Sequence, residues 1–134
     1  MKMNFKIILF LLFFGTIAQA QTYRFEVSAV SMSVKDKGKW SSFTPFKEAK
    51  IIASLNTPKN YIAVYSEIEQ YFKIVKYYDK KEENGKEIVG FDCVDQNAEP
   101  CFLEIQTRKK ENMSQLYINY PDRIFVYNMR YVKK

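Results

Sequence analysis

The chain has 134 residues, with 21 Lys and Arg against 15 Asp and Glu, and no histidine. A chain of this length fits one domain beside a targeting segment. Its mild basic excess suits solubility and weak attraction to anionic surfaces rather than dedicated nucleic-acid binding. Without histidine, His-based triads, His general bases and the common zinc sites are excluded.

The N-terminus reads as a secretory signal. Lys2 and Lys6 precede the apolar run Ile7 to Phe14, Gly15 breaks it, and Ala18-Gln19-Ala20 supplies the small residues that signal peptidase requires. The apolar stretch is shorter than the roughly 20 residues of a membrane span. Cleavage is expected after Ala20, leaving 21–134 as one exported domain, periplasmic or extracellular, with no membrane span. Two Lys leave with the signal, so 19 basic residues face 15 acids.

The remainder alternates in period two, with turn signals at short intervals. Tyr23 to Val34 is a first strand whose apolar parity shifts midway, so a bulge is expected near Ser28-Ala29. Asp36 to Lys39 is a turn, and Trp40 to Phe46 is irregular. Lys50 to Leu55 and Tyr61 to Tyr65 are strands about the loop 56–60. Ser66 to Tyr78 is ambiguous. Ser66 and Glu69 have capping-box spacing, and Ile68, Tyr71, Phe72, Val75 and Tyr78 would share a helical face. The aromatic and β-branched content, and Asn84-Gly85 downstream as a hairpin signal, favour a strand over Gln70 to Asp79. Strands then follow at Glu87 to Val94, Cys101 to Thr107, Ser114 to Tyr120 and Ile124 to Val132, the last two about a Pro121-Asp122 turn.

Cys93 and Cys101 flank a turn at Gln96-Asn97-Ala98. A hairpin there sets them opposite each other, and an exported chain meets an oxidising compartment, so a disulfide is expected, best at a non-hydrogen-bonded pair. The whole reads as an all-β antiparallel meander of about eight strands, forming a small lipocalin-like barrel or a sandwich.

The segments Ile62-Ala63-Val64-Tyr65-Ser66, Gln70-Tyr71, Phe91-Asp92-Cys93-Val94-Asp95, Cys101, Gln115 to Tyr120 and Val126-Tyr127-Asn128 together resemble a group of small exported bacterial proteins of unknown function. The resemblance covers about the last two thirds of 21–134. It implies a signal peptide, a β-meander and a hairpin disulfide, and it implies no activity.

Chemistry is sparse. A disulfide would remove thiol catalysis. A carboxylate hydrolase needs two acids facing each other across a cleft, for example Asp92 and Glu104. Asp95, Asn97 and Glu99 offer alternate oxygen ligands suited to calcium, but Asp95 and Asp122 equally suit backbone bonds in turns. No cofactor and no metal site is expected. The basic clusters Lys80-Lys81, Lys86, Arg108-Lys109-Lys110 and Lys133-Lys134 fall at turns and at the chain end, where they serve solubility or meet an anionic ligand. The aromatic content is more suggestive: 10 Tyr, 1 Trp and 7 of the 11 Phe lie beyond residue 20. Leu116, Ile118, Ile124 and Val126 read as one face of the last two strands, and Tyr117, Phe125, Tyr127, Met129 and Tyr131 as the other. Trp40, Tyr117, Phe125, Tyr127 and Tyr131 are thus the candidate contacts for a small apolar or amphipathic ligand, or for a protein partner. The expectation is a non-enzymatic binding domain, with an inhibitor or immunity-type protein and a carboxylate hydrolase as alternatives.

Overall fold

The period-two pattern is realised as ten antiparallel strands in a computed structural model that describes residues 22–66 and 68–132. The predicted signal segment and Lys133-Lys134 lie outside the described residues. The strands are β1 (Thr22–Asp36), β2 (Lys39–Trp40), β3 (Lys47–Asn56), β4 (Tyr61–Tyr65), β5 (Glu69–Tyr77), β6 (Lys81–Glu83), β7 (Lys86–Asp95), β8 (Pro100–Arg108), β9 (Met113–Asn119) and β10 (Arg123–Val132). One 3-10 turn, Lys109–Glu111, joins β8 to β9.

Eight of them close into a barrel in the order β10-β9-β8-β7-β5-β4-β3-β1, because β1 also pairs with β10. The closing ladder sets Phe25 opposite Tyr131, Val27 opposite Met129 and Val30 opposite Tyr127. Closure removes the sheet edges that an open meander would expose. It also decides between the two architectures left open by the sequence, in favour of the barrel.

Phe72, Phe91, Ile62, Leu103, Leu116 and Ile118 are fully buried in the lumen. An eight-stranded barrel is just wide enough for side chains to fill, or for one small ligand. At the end where β1 begins, aromatics plug it. Tyr131 packs on Phe25 at 5.6 Å, and Tyr77 on Phe91 at 5.5 Å.

Two irregularities re-aim strands. Ser28 is the extra residue of a bulge in β1, since Val27 and Ala29 face consecutive residues of β10. This is the predicted parity shift, and it keeps Phe25, Val27 and Val30 all facing inward. A second bulge in β5, between Ile74 and Lys76, was not legible from the pattern.

In the ambiguous segment, Glu69–Tyr77 is strand, not helix. Phe72 and Ile74 are buried at alternate positions, while Tyr71, Lys73 and Val75 are exposed. A helix would leave β4 and β7 without the strand that both pair with. Asn84-Gly85 is a tight hairpin turn with both residues at positive φ. It joins β7 to the short β6, however, and not to the long upstream strand, which pairs with the distal half of β7.

The last hairpin corrects the predicted faces. Its register pairs Ile118 with Phe125, Tyr117 with Val126 and Leu116 with Tyr127. Directly opposed residues share a face. Leu116, Ile118, Phe125 and Tyr127 therefore point inward together, and Tyr117, Ile124 and Val126 outward. The four-residue Tyr120–Arg123 turn pairs even positions with odd ones, so extending parity across it mixes the faces.

Candidate functional site

The barrel is open at the end where β1 leaves it. Lys47, Glu48 and Ile51 of β3 pair with β1, but the β3–β4 ladder begins only at Ile52 opposite Tyr65. The resulting gap opens into a cavity of about 750 Å³. Its apolar wall is Val30, Ile51 and Phe125, all from inward-facing positions, and Gln70, Tyr120 and Asp95 supply polar atoms. Lys47, Lys50 and Ile68 stand on the rim, Ile68 at 74% exposure.

One side of the mouth is fixed by a polar cluster. Asp95 ends β7, and the turn bond from Ala98 N–H to Asp95 O (2.9 Å) bends the chain back. Asp95 Oδ1 accepts from Asn97 N–H at 2.9 Å and Glu99 N–H at 2.8 Å. Its Oδ2 accepts from Tyr120 O–H at 2.8 Å. Burial alone would raise the Asp95 pKa, but the bonds from Glu99, Tyr120 and Asn97, with Arg123 nearby, hold it below the usual carboxylate value. Arg123 lies 3.8 Å over the Tyr120 ring and bonds Glu99 at 2.9 Å and Asp122 at 2.7 Å. Those carboxylates, Glu99 first, hold its pKa above the ordinary arginine value.

This arrangement overturns the calcium candidate. Asp95 is occupied by three donors and Glu99 by Arg123, and no group of three metal-ligating side chains converges among the described residues. Nor do Asp92 and Glu104 meet across a cleft. Asp92 accepts from Tyr78 O–H at 2.8 Å, and Glu104 accepts from the Gln106 amide at 2.6 Å.

The five candidate aromatics scatter. Phe125 lines the mouth, and Tyr127 is buried in the lumen, its pKa raised by that burial against a bond from Gln70. Tyr117 is on the outer face, donating to Gln115 at 3.0 Å. Tyr131 packs on Phe25 and on Tyr23 at the plugged end. Trp40 is 43% exposed beyond the barrel, with Lys35 Nζ 6.0 Å from its ring.

No family model, curated protein or solved structure matches the chain.

Cys93 and Cys101 are directly opposed, as the sequence predicts, but they are free thiols in this structure. The bond from Asp95 N–H to Glu99 O makes 95/99 a hydrogen-bonded pair. Alternation then puts Pro100, which has no N–H, in a non-hydrogen-bonded pair, and the cysteines in the next hydrogen-bonded one. That corrects the expected pair type: the turn is the predicted Gln96-Asn97-Ala98, with Ala98 at φ 65°, and the pair that closes it, 95/99, is the hydrogen-bonded one. Burial, and then the proximity of the other sulfur or of Asp95, pushes both thiols up to about 12. Such thiols are poor nucleophiles near neutral pH.

The basic turns are partly neutralised. Lys109 lies 2.6 Å from Glu87, and Lys80 lies 3.7 Å from it. The mouth residues Val30, Ile51, Gln70 and Arg123 were not singled out from the sequence. Each lies on a different strand, and only barrel closure brings them together.

Proposed function

We propose that this chain is an exported, non-enzymatic binding domain that takes one small amphipathic molecule into the open end of its barrel. The observation that carries this reading is the cavity of about 750 Å³, whose apolar wall is Val30, Ile51 and Phe125 and whose rim bears Lys47 and Lys50. That volume lies within the range of small-molecule sites, and such sites recur in the mouths of β-barrels. An apolar body would pack on the wall, and an anionic or polar end would face the rim lysines and Gln70. Catalytic chemistry has little support: the chain has no His, and of the two carboxylates that line the mouth, Asp95 and Glu48, Asp95 is already committed to three donors.

In the exported protein we expect Cys93 and Cys101 to be oxidised to a disulfide. A hydrogen-bonded antiparallel pair has a Cα separation of about 5.5 Å, which a disulfide spans.

Native mass spectrometry of the protein, purified gently from its own host without reductant, tests both points. The expected result is a reproducible small adduct and a polypeptide mass lacking two protons. A bare chain at every concentration contradicts ligand carriage, and a mass with both thiol protons contradicts the disulfide. A second polypeptide in place of the adduct would favour a protein partner.

A further inference from the structure

Beyond the mouth, β1 continues as one side of an arm. Its tip turns at Lys37-Gly38, and β2 pairs Lys39 and Trp40 back onto Asp36 and Lys35. The return segment 41–46 stays on the arm through Ser41 N–H to Val34 O at 2.8 Å and Thr44 N–H to Met32 O at 2.9 Å. Ser33 and Ser31 hydroxyls fasten it further, at 2.7 Å to Ser41 O and 2.5 Å to Thr44 O. The arm is therefore ordered, yet it leaves Val34, Trp40, Phe43 and Phe46 between 40% and 49% exposed.

Interleaved with these residues are Lys35, Lys37, Lys39 and Lys47, against Asp36 and Glu48. The same end of the barrel carries the exposed Ile68 and the rim Lys50. Half-exposed Trp and Phe beside a basic excess form an interfacial anchor: the rings enter the headgroup layer while the ammonium groups meet anionic phosphates. We propose that the arm 34–47 docks the protein on an anionic phospholipid surface. The choice of lipid over protein rests on charge complementarity, four Lys against Asp36 in the arm and Glu48 just after it, beside three large aromatic rings.

Trp40 is the only tryptophan in the chain, so the intact protein reports on its own arm. Its emission would be followed as vesicles of phosphatidylcholine, with or without phosphatidylglycerol, are added. The expected result is a blue shift with phosphatidylglycerol vesicles, quenched by brominated acyl chains, absent with phosphatidylcholine alone and weakened by salt. Phe43→Ser with Phe46→Ser, both at exposed positions, should weaken partitioning by roughly tenfold or more. Emission unmoved by anionic vesicles at low salt would overturn the proposal, as would an equal loss on Lys110→Glu at the far end of the barrel. An arm that serves a protein partner instead would leave Trp40 unmoved by vesicles, and that result overturns lipid docking in the same way.

Discussion

At the residue scale, the mouth depends on Asp95. Its two oxygens join the β7–β8 turn to the end of β9, through Glu99 and Asn97 on one side and Tyr120 on the other. Asp95→Asn keeps the shape but loses the charge and can make a donor face a donor. A buried polar group left badly paired costs about 1–3 kcal/mol, so urea unfolding should show a loss of that size near neutral pH. The folded-state pKa of Asp95 is lowered. Its contribution is therefore present above the unfolded value of about 3.9 and is lost as pH falls through the lowered folded value. The difference between wild type and Asp95→Asn should accordingly shrink in acid, and a difference independent of pH would contradict this assignment. The turn role of Asp95 was legible in the sequence, because Asp accepts from backbone two residues on. Its bond to Tyr120, 25 positions away, was not.

At the element scale, hairpins were more legible than their joins. The Ser28 bulge showed as a parity shift in Tyr23 to Val34, and β4 falls on the predicted Tyr61 to Tyr65. The β5 bulge was hidden because Val75, Lys76, Tyr77 and Tyr78 suit either face. Gly90 in β7 lies under a ring from β8: a Cβ there would meet Phe102 Cζ at 2.7 Å and Cε1 at 3.1 Å. Phe102 in turn packs edge-on against Tyr78 at 5.6 Å. Gly90→Ala would push that ring off its seat, and we expect thermal and urea unfolding to show a loss of about 1–3 kcal/mol. An unchanged midpoint would mean that Phe102 swings away without cost.

At the scale of the whole molecule, alternation and turn spacing made an all-β meander readable, but not its closure. The β1–β10 ladder joins the two ends of the described chain, pairing Arg24 with Val132, and no local pattern specifies that pairing. Closure also determines which aromatics line the lumen, so Phe125 and Tyr127 separate from Tyr117, while Trp40 leaves the barrel on the arm. The mouth exists because residues 47–51 of β3 lack a β4 partner in the ladder.

The central claim is that this mouth admits one amphipathic molecule, and titration with the anionic amphiphile anilinonaphthalenesulfonate tests it most directly. The folded protein should give a saturable one-to-one rise in fluorescence, reversed by dodecanoate. Ile51→Asp on the wall and Ile68→Asp on the rim should weaken binding while far-ultraviolet circular dichroism stays unchanged. No saturable signal, or binding indifferent to both substitutions in the folded protein, would contradict the claim.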